Sequence, residues 1–191
     1  MTIGRLNLKY DNLTCDGEKM IFDTRELWTV LHGMILGSLY LLAFAGGAEA
    51  LWSFRPEWMT EAGVVSRMRR LMIGVWTMTL TCWLAVISGT YVVYVWYREN
   101  IPTSPKSKLM ADVGKAFWHT FAMEWKEHVS WLAAILSTTV AFLVTYYGRE
   151  ILVRQDIRRV AFCLLTLAFV AAAIGGLFGA FINKAAPMMF Y

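Results

Sequence analysis

Charge is scarce in this chain. Of 191 residues only 17% are Asp, Glu, Lys or Arg, against 58% that are hydrophobic, and the mean hydropathy is +0.48. Soluble domains carry about 25% charge, so the deficit points to a bilayer rather than to water. Cysteine is almost absent: Cys15, Cys82 and Cys163 stand alone in separate segments. Without a C-x-x-C pair or a C-x-x-C-H sequence, covalent c-type haem, zinc ribbons and thioredoxin chemistry have no support. Cys82 and Cys163 fall inside apolar runs and are expected to pack there. H-E-x-x-H, P-loop and G-x-S-x-G signatures are missing, which removes the usual signs of hydrolase or NTPase chemistry. No internal repeat or broken helix argues for a transporter. Residues 1–27 lack the basic start, apolar core and small-residue cleavage site of a signal peptide, so the tail is expected to be kept.

What is present is four long apolar runs, at about 27–52, 71–97, 128–148 and 160–182. Each meets the roughly 20 residues a bilayer-spanning helix needs. Backbone groups in lipid must bond within their own segment, so the runs are helices. The expected fold is therefore all-α: a four-helix membrane bundle spanning 27–191, preceded by an extramembrane tail, 1–26. Alternating residues around Asp16-Gly17 suggest a small hairpin in that tail, and Asp23 or Thr24 can cap the first helix. Phe117, Phe121, Ala122, Trp125 and Val129 share a helical side, so 112–126 reads as an amphipathic interfacial helix before helix three.

Charge position sets the expected orientation. Arg55, Arg67, Arg69 and Arg70 follow the first run; Arg149, Arg154, Arg158 and Arg159 follow the third. By the positive-inside rule these loops are cytoplasmic. Both termini and the 98–127 loop then face outward, to the periplasm of a bacterial inner membrane. The net charge of +4 reflects these loops, and nucleic acid is not an expected partner. Tyr91, Tyr94, Trp96 and Tyr97, at the outward end of the second run, read as an aromatic belt. The pairs Gly33/Gly37 and Gly175/Gly179 read as small faces for close helix packing, including packing against other membrane subunits.

Ionisable groups within spans are costly and are functional candidates by default. His32 lies 23 positions before Arg55 and His128 21 before Arg149. At about 1.5 Å per residue both sit roughly 30–35 Å from the inner boundary. Two histidines at one depth on different helices suit a metal or haem held between helices. Arg25, seven positions before His32, could reach a propionate at the outer interface. Trp125 and Trp131 could flank the macrocycle, and Glu124 could fix the His128 imidazole. Each histidine can equally be a polar interface residue without a ligand. His119 lies nine positions from His128, about 900° round the helix. It is an alternative ligand, a proton carrier at a quinone site or, as expected first, a surface residue. Glu49 could relay protons or, the favoured role, pair with Arg69 or Arg70. Glu124 and His128 are spaced i,i+4, and no E-x-x-H repeat supports a di-iron bundle.

In architecture, and in His32 and His128 as candidate ligands, the chain resembles the four-helix membrane-anchor cytochrome b subunits of respiratory oxidoreductases. That resemblance implies haem b and electron transfer between a quinone pool and a partner such as a multihaem cytochrome. Many such subunits hold two haems with four histidines. This chain has three, all toward the outer side, so it leaves room for one haem near the outer face. The alternatives are a cofactor-free anchoring subunit and a quinone-binding subunit without haem, in which His119, His128 and Glu124 handle protons.

Overall fold

The structure is a computed structural model that describes residues 24–54, 57 and 60–186. The expected hairpin and Asp23 lie outside the described residues. Among these the chain is helical, with no strand. Four helices are long and apolar enough to cross a membrane: Thr24–Trp52, Glu61–Tyr97, Trp118–Tyr147 and Gln155–Ala185, here helices one to four. Two short helices, Pro105–Ala111 and Glu150–Val153, sit in the connections.

Local chemistry moves several boundaries. Helix two begins ten residues earlier than the apolar run, at Glu61. The Thr60 hydroxyl accepts from the Gly63 amide at 3.2 Å, and Glu61 places a carboxylate in the first turn. Both satisfy the positive end of a helix, so Arg67, Arg69 and Arg70 are helical rather than in a loop. The helix expected over 112–126 forms from Trp118 onward as the start of helix three. A separate short helix, Pro105–Ala111, capped by Ser104 with Pro at its start, precedes it, and residues 112–116 turn between the two. Helix three ends at Gly148, whose φ of 48° is a conformation that glycine adopts without a Cβ clash.

The bundle is closed by small residues and hydroxyls. A Cβ at Gly74 of helix two would lie 3.7 Å from the Ala43 oxygen and the Gly47 nitrogen of helix one. That is the close approach small residues permit in lipid. Helices two and three are joined by Trp76 Nε1 to Thr145 Oγ1 at 3.0 Å and Trp83 Nε1 to Thr138 Oγ1 at 2.9 Å. Thr79 donates between them to the Ser137 carbonyl at 3.0 Å. Helix one meets helix four through the stacked rings of Phe44 and Phe169, 3.9 Å apart. Leu51, Leu71, Val75, Val140 and Ile151 belong to the main core. A smaller cluster around Tyr97, Leu109, Ala122 and Ile182 closes the other end. The cysteines divide: Cys82 is buried as expected, and Cys163 is exposed on helix four.

Candidate functional site

Three of the four long helices widen into π-helical turns: Leu31–Ile35, Gly89–Val93 and Trp118–Met123. All lie toward the end of the bundle away from the basic loops. A π turn holds one residue more than an α turn and often marks a functional site. Here His32 sits in the first, Gly89 in the second and His119 in the third. A cavity of about 1130 Å³ opens at this end and is lined by all four helices. Ligand pockets usually measure roughly 300–1,000 Å³. Its walls are bare, with Gly33 and Gly37 on helix one, Gly89 on helix two, Ala133 on helix three and Gly176 on helix four.

The structure brings His32 and His128 to this one cavity. His32 is half-buried and His128 is exposed at its margin. The His32 ring lies over Gly89, where a Cβ would come within 2.7 Å of its Cε1. A side chain at position 89 would therefore displace the His32 ring. Nδ1 of His32 lies 3.2 Å from Ser88 Oγ, and that hydroxyl donates to the Ala85 carbonyl. With its proton committed, Ser88 accepts from His32. Nδ1 of His128 lies 2.7 Å from the Glu124 carbonyl oxygen, which can only accept. In the neutral ring each histidine thus carries its proton on Nδ1 and keeps a lone pair on Nε2. This is the tautomer a metal-ligating imidazole needs. Among the described residues no group of three or more His, Cys, Asp or Glu is arranged to hold a metal ion. The donors available are this imidazole pair.

Other expected positions are redistributed. The carboxylate of Glu124 does not orient His128; it pairs with Arg98 at 3.2 Å, and the Glu124 backbone carbonyl takes the imidazole proton instead. Arg25 donates twice to Glu99, at 3.0 and 2.8 Å, and lies over the Trp96 ring. It ties helix one to the end of helix two and does not line the cavity. Trp131 lines the cavity and meets Trp83 edge-on at 6.0 Å. Trp125 instead packs on Phe178 of helix four, 5.4 Å away, so the two tryptophans do not share the cavity wall. Glu49 is exposed and forms no ion pair with Arg69 or Arg70 among the described residues.

His119 corrects the expected surface position. It is 7% exposed, with Nδ1 2.9 Å from Tyr97 Oη. Tyr97, itself 1% exposed, belongs to the smaller core rather than to an interfacial belt. The cover comes from helix two, a tertiary contact that counting along helix three does not reveal.

Four residues of the site escaped sequence reasoning: Tyr40, Tyr94, Lys126 and Glu127. All line the cavity. Tyr40 Oη, Tyr94 Oη and Glu127 Oε1 are buried without a hydrogen-bond partner. Buried polar atoms are normally satisfied; here Tyr94 lies near Glu127 and Tyr40 near Ser137 without closing a hydrogen bond. The signal for Lys126 and Glu127 was their place just before His128. It was masked because helix three was taken to begin near 128.

No family model matches this chain, and no curated protein or solved structure matches it either.

Proposed function

We propose that the chain is an electron-transfer subunit of a membrane redox complex, carrying one haem b in the cavity between His32 and His128. The observation that carries this reading is the imidazole pair: both rings border one cavity, and both keep Nε2 available as a ligand atom. A porphyrin would supply most of the iron's donors, so His32 and His128 would hold the group without further protein ligands. The glycine and alanine walls suit a flat, bulky ligand, and the volume is sufficient for one. When bound, such a group supplies a one-electron redox centre whose potential follows its axial ligands and surrounding dielectric. The chain's own part is to hold the two rings through Ser88 and the Glu124 carbonyl, and to exclude lipid and water from between them.

A quinone at the same end is the second reading. The specific support is the pair of buried phenols, Tyr40 and Tyr94, whose hydroxyls can donate to carbonyl oxygens, beside the Glu127 carboxylate as proton acceptor. In both readings the basic loops face the cytoplasm and the cavity faces outward, as in a bacterial inner membrane with both termini periplasmic. A periplasmic redox subunit would then dock near residues 98–127.

A reduced-minus-oxidised optical spectrum of the purified chain tests the proposal. The expected result is a b-type haem signal that His32→Ala abolishes and His128→Ala weakens or shifts. A wild type without haem absorbance, or a signal indifferent to both substitutions, would sink it. Labelling of a cysteine placed in 149–159 by an impermeant reagent added outside would overturn the orientation.

A further inference from the structure

We propose that Lys126 is the ligand's carboxylate anchor, holding a porphyrin propionate at the outer end of the cavity; this rests on the haem reading above. Lys126 is the one lysine or arginine among the described residues that line the cavity. Its side chain runs along two glycines of helix four. Cγ lies 3.8 Å from where a Cβ at Gly175 would stand, and Nζ lies 3.1 Å from the corresponding point at Gly179. A side chain at 179 would crowd the ammonium, so the glycine pair expected to pack helices together forms a trough for a cation instead.

A cation at the edge of an apolar cavity calls for a counter-charge, because a buried charge is tolerated only when paired. The Lys126 ammonium makes no ion pair or hydrogen bond with the described residues. The acids nearby are committed elsewhere: Glu99 to Arg25 and Glu124 to Arg98. Glu127, the next residue in the helix, attracts the ammonium electrostatically, but the two form no ion pair or hydrogen bond. Glu127 Oε1 is itself buried without a hydrogen-bond partner. The site therefore presents a cation that no ion pair neutralises, attracted at longer range by Glu127.

A porphyrin carries two flexible carboxylates on one edge, and a lysine at the mouth supplies the complementary charge. Lys126 lies two residues outward of His128 along helix three, about 3 Å. That puts it outward of the His128 imidazole, toward the mouth of the cavity. Arg25, the residue whose spacing suggested this task, is held by Glu99. Lys126 takes its place as a positioning residue for the ligand.

The test titrates the full chain, purified haem-free in detergent, with hemin and with hemin dimethyl ester. Wild type, Lys126→Gln and Lys126→Arg are compared, with monodisperse elution and helical circular dichroism as the check on folding. Losing a charge-assisted hydrogen bond should weaken hemin binding in K126Q about tenfold or more. K126R should stay within about threefold of wild type, since it keeps the charge. With the esterified ligand, wild type and K126Q should bind alike, and wild type should bind it about tenfold more weakly than hemin. That last comparison needs no variant and stands if K126Q fails to fold. The midpoint potential of bound haem should fall in K126Q, because a nearby cation favours the reduced iron. Equal hemin affinity in wild type and K126Q, or an equal loss with both ligands, overturns the anchor and leaves the haem reading standing. Failure of wild type to bind hemin with an imidazole-type spectrum overturns both.

Discussion

The two ends of the bundle are built on opposite principles. At the basic-loop end Leu51, Phe54, Leu71, Val75 and Ile151 are at most 2% exposed. The helices meet there through Gly47 and Gly74, and Arg67 ties helix two to Ser53 through its hydroxyl and carbonyl. At the histidine end the helices widen into π turns, small residues face open space, and Tyr40, Tyr94 and Glu127 carry orphaned polar atoms. In lipid the hydrophobic drive between helices is weak, so packing and hydrogen bonds hold a bundle together. A protein that keeps one end hollow must concentrate that packing at the other. The dense end is the scaffold, and the hollow end leaves a cavity among the four helices.

The contrast can be broken most severely at His32. His32→Ala removes the better-buried of the two imidazoles and should abolish haem incorporation, measured as haem per protein in the purified chain. His128→Ala, at the exposed margin, should leave part of it. Equal losses would show that burial does not rank the two rings.

Next in size is the scaffold. Leu71→Ala at the dense end should cost about 2 kcal/mol, the low end for a buried leucine. In lipid the lost packing remains while the transfer contribution shrinks. Thermal or denaturant unfolding in detergent measures it, and a cost near zero would refute the dense-end description. Gly89→Ala probes the close approach at the hollow end. Its Cβ would fall 2.7 Å from His32 Cε1, so the ring must move, and the haem spectrum should shift while overall stability changes little.

Tyr40→Phe should raise the stability of the ligand-free protein, by up to about 1 kcal/mol, because it deletes a buried hydroxyl without a partner. A loss of stability would mean that the hydroxyl is satisfied in the absence of ligand. The smallest effect belongs to Arg25→Gln. Its pair with Glu99 is about a quarter exposed on each side, and such bridges contribute roughly 0–1 kcal/mol. A loss of haem in this variant would return the anchoring role to Arg25.

Much of this was legible in the chain, and the gaps have physical causes. Four apolar runs of spanning length declare four helices, because lipid leaves the backbone no other choice. Depth counting placed His32 and His128 at one level, and the fold borders one cavity with both. Glu124 was expected to orient His128 through its carboxylate; the backbone carbonyl meets the imidazole instead, and the carboxylate is taken by Arg98, a partner 26 residues away. Lys126 was unreadable as a cavity residue, since its surroundings are Gly175 and Gly179, some fifty positions along the chain. His119 was misplaced because what covers it, Tyr97 at the end of helix two, comes from another segment of the chain.

Composition and periodicity alone determined the class and the number of helices long enough to span, since each depends only on local hydropathy and helical rise. The tertiary structure alone decided which polar atoms were left without partners and which cation faces the cavity. Those depend on where helix four lies against helix three. The reason is range: backbone satisfaction in lipid is settled within one segment, whereas a site is settled by side chains that four segments bring together.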